Sequence, residues 1–242
     1  MEPIVKVTPD PGALVLEAAD RIVALASEAI SQRGVFFIAL SGGQTPKALY
    51  ELLGAQPFRS RIEWDKLDIF FGDERCVPPD SPESNYHMAA SALFSKVPIA
   101  PDRIHRMRGE IDPEAAAREY GELLKRKFGD QGIDLVLLGM GPDGHTASLF
   151  PGTAALREQR HRCVANFVGK LNAWRVTMTA PFINRAGQVM ILVSGEEKSQ
   201  RLREVLEGPR EPDRLPIQMI QPASGKLTWL IDTAAAGMHA GE

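Results

Sequence analysis

One histidine is placed where a base would be useful. Gly139-Met140-Gly141-Pro142-Asp143-Gly144-His145-Thr146 delivers an imidazole just beyond an apolar run, with a carboxylate two residues before it. Imidazole titrates near neutrality and can take a proton from water, and Asp143 at that spacing can orient or charge-stabilise the ring. A second segment, Ser41-Gly42-Gly43-Gln44-Thr45-Pro46, sets a small hydroxyl and two glycines between an apolar run and a helix start. Several backbone N–H groups can converge there on an oxyanion at the positive end of the helix. No Gly-Lys-Ser/Thr follows, so the segment is not a nucleotide P-loop, and a tight turn needing only glycine would read the same way. A third, Asp73-Glu74-Arg75, closes another apolar run; alone it reads as a solvated turn, but Arg75 could stabilise negative charge developing on a carbonyl oxygen. Two further cations, Arg175 and Lys198, sit near loop edges. A lysine in the first turn of a helix opposes the helix dipole, so a bound anion accounts for Lys198 better than helix preference does.

Other residues carry less. Gly139 to Gly144 formally fits G-x-G-x-x-G, which raises a nicotinamide-binding reading, but Pro142 interrupts the loop and the next strand offers Asn166 where a ribose-binding acid is needed. His87, His105, His161 and His239 lack a comparable setting and read as surface or packing residues. Cys76 reads as packing, since no pattern beyond Arg75 would stabilise its thiolate.

The elements that must position these groups alternate in type. Strands are expected at Ile4 to Val7, Val35 to Leu40, Leu67 to Phe71, Ile133 to Leu138, Cys163 to Phe167, Arg175 to Thr179, Val189 to Val193 and Leu227 to Ile231. Helices are expected between Asp10-Pro11 and Gly34, from Thr45 as N-cap with Pro46 at N1, from Asp112-Pro113 to about Phe128, and from Glu196 to Leu206. Strands separated by helices imply a single α/β domain over residues 1–242, with a doubly wound, mostly parallel sheet flanked by helices on both faces. Such sheets bind ligands beyond the carboxyl ends of their strands, where all three loops lie.

Composition narrows the partners. Lys+Arg 28 against Asp+Glu 31 gives a net charge of -3 in 242 residues, leaving no basic excess for nucleic acid or an anionic membrane. No apolar run approaches a membrane span and the acidic start carries no export signal, so a cytoplasmic protein is expected. The two cysteines, Cys76 and Cys163, form neither a disulfide framework nor a zinc motif.

As an ordered set, SGGQTP, FFGDERCVPPDSPESNYHMA, LLGMGPDGHTASLFPGT and the pair RVTMT with SGEEKS resemble the 6-phosphogluconolactonase family, over roughly residues 41–206. The wider superfamily includes glucosamine-6-phosphate deaminases and sugar-phosphate isomerases, so the resemblance implies a sugar-phosphate isomerase/deaminase-like fold. It implies that Ser41, Gly42, Gly43 and Thr45 bind substrate phosphate with Arg175 and Lys198, that His145 is the general base, and that Arg75 faces the lactone end. The implied reaction is hydrolysis of 6-phospho-D-glucono-1,5-lactone to 6-phosphogluconate, with neither metal nor organic cofactor. Asp143 as the orienter of His145 rests on spacing alone. The implied partner is a small sugar-phosphate lactone, bound by a monomer or weak homo-oligomer. A deaminase resemblance is weaker: Ser148-Leu149-Phe150-Pro151 stands where those enzymes continue toward Asn-Glu-Pro, and Arg75 stands where they carry tyrosine. A sugar-phosphate sensing domain with a DNA-binding head is disfavoured, because the residues before Val35 read as one strand and one helix.

Overall fold

Each long helix but two starts on a side chain that satisfies its free N–H groups. The computed structural model describes residues 3–238; Met1, Glu2 and His239 lie outside the described residues. After strand β1 (Ile4–Thr8), Asp10 caps helix α1 (Pro11–Arg33) by accepting from the Ala13 N–H at 2.8 Å, and Gly34 closes it in the left-handed conformation. Strand β2 (Phe36–Leu40) then runs into helix α2 (Gln44–Leu53), followed by β3 (Leu67–Phe71) and the short β4 (Asp73–Arg75). Ser84 caps α3 (Asn85–Ala92) and Asp112 caps α4 (Pro113–Phe128). The chain continues through β5 (Leu135–Gly139), β6 (Cys163–Val168), β7 (Ala173–Met178), α5 (Ala180–Ile183), β8 (Gln188–Val193), α6 (Ser199–Glu207) and β9 (Lys226–Asp232).

Six strands form one parallel sheet in the order β1-β9-β8-β5-β2-β3, so the single α/β domain has the expected mostly parallel sheet. β2, β3, β5, β8 and β9 are mostly buried on both faces, whereas the edge strand β1 is largely exposed. Ile38, Leu40, Ile69, Leu137 and Leu192 pack on one side with α1, α2 and α3, while Ala39, Phe70, Leu138, Ile191 and Ile231 pack on the other with α4. Among the described residues no helix is long and apolar enough to cross a membrane.

Three expectations change. β4, β6 and β7 leave the main sheet for an antiparallel three-stranded sheet of order β4-β7-β6, which places Asp73-Glu74-Arg75 on a strand rather than in a turn. Helix α2 begins at Gln44 with Gly43 as its N-cap, so Thr45 is inside the first turn and caps nothing. Similarly, Glu196–Lys198 is a 3-10 turn, with Lys198 at the N-cap of α6.

The connection order puts the switch point at β2 and β5, because β3 lies on one side of β2 and β5 on the other. These two strands pair only at Ile38–Leu135 and Ala39–Val136, whereas β5 and β8 pair over five residues. Their carboxyl ends therefore splay and open a crevice. On its α2 side the loop is pinned by fully buried Tyr50, whose hydroxyl accepts from the Ser41 N–H at 2.9 Å and donates to the Ser41 carbonyl at 2.8 Å. Tyr50→Phe strands both buried groups, so it should lower the unfolding free energy by about 1–3 kcal/mol in urea titration. An unchanged midpoint would show that the clamp holds nothing.

Candidate active site

The crevice is a cleft of about 530 Å³ at the carboxyl ends of β2, β5 and β8, with β4 and α3 forming one wall. It gathers Ser41, Gly42, Gly43, Thr45, Arg75, His145 and Lys198 from the residues expected in the site. Its position follows from the topology alone, since this is where adjacent strands feed loops in opposite directions.

His145 is held on three sides. Its Nδ1 lies 2.5 Å from Asp143 Oδ1, and an ionised carboxylate can only accept, so Nδ1 carries the proton and Nε2 keeps its lone pair. The Phe150 ring stacks on the imidazole at 4.0 Å between centroids and 23° between planes. The opposite approach is so close that a Cβ on Gly141 would come within 2.0 Å of the ring, which is why this turn position must be glycine. The turn is tied by Gly141 N–H donating to the His145 carbonyl at 2.9 Å and Thr146 Oγ1 donating to the Gly139 carbonyl at 2.8 Å.

Burial pushes the His145 pKa down to about 4, Lys198, Arg75 and Arg175 act in the same direction, and Asp73 opposes them. The sequence places a histidine near neutrality; in the fold this ring is neutral well into acid. A ring that is neutral at pH 7 is available as a base without first losing a proton.

The other end of the cleft is built to receive negative charge. α1, α3 and α4 carry side-chain caps, whereas α2 and α6, the two helices that start at the cleft, carry none. The first-turn N–H groups of α2, from Gln44 and Thr45, and those of Gly42 and Gly43 before it are available to an anion. Across the cleft the turn bearing Lys198 is fixed by Asp232, a fully buried carboxylate that accepts from Ser194 Oγ at 2.5 Å and from the Gly195 N–H at 3.2 Å. Lys198 makes no ion pair among the described residues.

Glu74, only 2% exposed, explains why Arg75 stays in place. Its carboxylate accepts from the N–H groups of Arg75, Asn85 and Tyr86 at 2.8 Å and from Ser84 Oγ at 3.0 Å, tying β4 to the start of α3. Burial nevertheless raises its pKa, with those N–H donors opposing. Arg75 Nη1 donates to the Glu83 carbonyl, and the residue lies opposite Arg175 in the β4–β7 register. Like charges directly opposite across a strand pair repel, an arrangement that a bound anion relieves.

Asp143 stands behind His145 and does not line the cleft. Arg175 is also outside the lining: it faces a neighbouring hollow with Cys76, Glu83 and Trp174, and acts on His145 only through its charge. Asn85 and Glu197 line the cleft although the sequence alone did not single them out, and Asp73, read there only as part of a charged triplet, lines it too. Asp73 accepts from Ser148 Oγ at 2.5 Å and from Asn85 Nδ2 at 3.3 Å, and the Asn85 amide is so close that a Cβ on Gly42 would lie 2.0 Å from its oxygen. The Ser-Asn pair after GDER was the available signal, since polar residues at a helix start near a strand end can serve a site as well as a cap. Burial raises the Cys76 thiol to about 11, in keeping with packing; His105 stacks on Phe70, and His161 is exposed beside Glu158.

Comparisons with known proteins agree with this arrangement. The family described as glucosamine-6-phosphate isomerases/6-phosphogluconolactonase matches residues 9–229. A protein of Nostoc sp. named 6-phosphogluconolactonase is 42% identical over 242 residues, covering 97% of this chain and 98% of its own. The structure of 6-phosphogluconolactonase from Trypanosoma cruzi superposes with a TM-score of 0.86 at 30% identity, over 98% of this chain and 96% of its own. A monomeric glucosamine-6-phosphate deaminase superposes with a TM-score of 0.83 over 98% of this chain and 100% of its own, but at 23% identity, a likeness of fold alone. With the family matched across most of its length, the chain belongs to the glucosamine-6-phosphate isomerase/6-phosphogluconolactonase family.

Proposed function

We propose that the protein is a lactone hydrolase that opens 6-phospho-D-glucono-1,5-lactone to 6-phospho-D-gluconate, the second step of the oxidative pentose phosphate pathway. The observation that carries this reading is an imidazole held through Nδ1 by Asp143, sharing one cleft with the uncapped start of α2 and the unpaired Lys198. A base at one end and an anion site at the other suit an uncharged ester linked to a remote phosphate.

A lactone carbonyl is already electrophilic, so no nucleophilic side chain is required. His145 Nε2 takes a proton from a water as its oxygen bonds to C1, and the carbonyl electrons move onto the oxygen as a tetrahedral oxyanion. Arg75 faces that charge as it develops. Collapse breaks the C1–ring oxygen bond, and the imidazolium returns its proton to the leaving alkoxide. Asp143 stabilises the imidazolium between these steps without itself being protonated. The phosphate sits on the N–H groups of Gly42, Gly43 and Thr45, beside Ser41 and Lys198, and its binding energy holds C1 between base and arginine. Arg175, outside the cleft lining, adds positive charge near the site.

Freshly generated 6-phosphogluconolactone should release acid at a protein-dependent rate, and glucosamine 6-phosphate should release no ammonia. The reverse result would assign the deaminase reaction. Where that chemistry needs a carboxylate, this chain has buried Leu149 and the Phe150 ring against His145.

His145→Asn should lower kcat by about 10²- to 10⁴-fold while leaving product affinity near wild type. Because the base must be unprotonated, wild-type kcat/KM should rise with pH and level off once the ring is neutral. With the pKa lowered by burial, half-maximum should fall below the ordinary histidine value of about 6.5, and this limb should vanish in His145→Asn. Turnover within a few-fold of wild type would remove His145 from the mechanism.

For the anion site, Lys198→Ala should weaken 6-phosphogluconate binding about tenfold or more in calorimetry, and Arg175→Ala should weaken it less. Hydrolysis of unphosphorylated glucono-1,5-lactone should be slow and indifferent to both changes. Equal product affinity in Lys198→Ala and wild type would move the phosphate elsewhere.

A further inference from the structure

One side chain outside the cleft touches two of the groups that hold His145. Lys170 lies in a 3-10 turn, Gly169–Leu171, at the tip of the β6–β7 hairpin and so on the separate three-stranded sheet. Its ammonium contacts Asp143 Oδ2, the oxygen not engaged by His145 Nδ1. It also lies 4.8 Å from the centroid of the Phe150 ring, the ring that stacks on the imidazole. Lys170 is about half exposed, at 49%, and exposed ion pairs add little to stability, so holding the fold together does not account for this convergence.

We propose that Lys170 is a positioning residue for the hydrolysis: by gripping Asp143 Oδ2 over the Phe150 ring, it keeps the carboxylate aimed at His145 Nδ1 and the Nε2 lone pair aimed into the cleft. The inference rests on His145 being the base. Without Lys170 the carboxylate stays against the ring but is no longer held at one angle, and a base displaced by as little as an ångström loses much of its rate advantage.

The electrostatic consequence has a definite sign. The charges around the imidazole are Asp143 with Lys170 behind it, Asp73 and Arg75 on β4, Arg175 on β7, and Lys198 before α6. Lys170 neutralises Asp143. Removing it leaves an uncompensated carboxylate against the ring, which favours the imidazolium.

Lys170→Met should therefore reduce kcat about tenfold with KM nearly unchanged, and move the acid limb of kcat/KM upward by about one pH unit. Its melting temperature should match wild type, and Lys170→Arg, which keeps charge and reach, should restore both rate and profile. His145→Asn, measured alongside, separates the two readings. If it is inactive while Lys170→Met keeps the wild-type rate and acid limb, the positioning role is wrong and the base assignment stands. A rate loss with an unmoved acid limb, or one tracking a lowered melting temperature, also overturns the role. If His145→Asn is as active as wild type, the base assignment falls and this inference falls with it.

Discussion

The 2.5 Å contact between the Asp143 carboxylate and Nδ1 of His145 decides which ring nitrogen keeps a proton, and with it whether the cleft contains a base. If Nε2 carried that proton, the imidazole would present a donor to the attacking water and could not accept from it. Everything else near the ring keeps this arrangement from relaxing. Phe150 covers one face, the backbone at Gly141 leaves no room for rotation, and Thr146 ties the turn back to the end of β5.

That constraint works against the electrostatics that serve substrate binding. The uncapped start of α2, Lys198 and Arg75 make one cleft attractive to a phosphorylated, negatively charging substrate, and the same positive charge discourages the imidazole from taking a proton. Asp143 and Asp73 offset part of that cost near the ring. Burial and this positive charge hold the imidazole pKa down, so under the proposed mechanism the ring gains most stabilisation once it has charged, which is where a catalyst benefits most.

Much of this was readable from residue types and order. The apolar runs delivering Ser41, Asp73 and His145 to strand ends, the caps at Asp10 and Asp112, and the parallel sheet all follow from local pattern. What the pattern hides is long-range pairing. β6 and β7 read as further strands of the same kind and β4 as a charged turn, yet their antiparallel pairing sets all three apart and carries Arg175 out of the cleft lining. Thr45-Pro46 has the residue types of an N-cap and N1, but the helix starts earlier, at Gln44 after Gly43, which leaves its first-turn N–H groups without a side-chain cap. The partners that fix the site, Tyr50 for Ser41, Glu74 for α3 and Asp232 for the Lys198 turn, are buried polar groups whose contacts no local periodicity reports.

The central claim is a statement about one proton, so it is best tested by observing that proton. Nitrogen-15 NMR of histidine-labelled protein, with the His145 signals assigned by their loss in His145→Asn, reads the protonation of each ring nitrogen separately. The account predicts a neutral ring at pH 7 with Nδ1 protonated and Nε2 bare, charging only when the pH falls below the ordinary histidine range. An imidazolium at pH 7, or a neutral ring with the proton on Nε2, would contradict it.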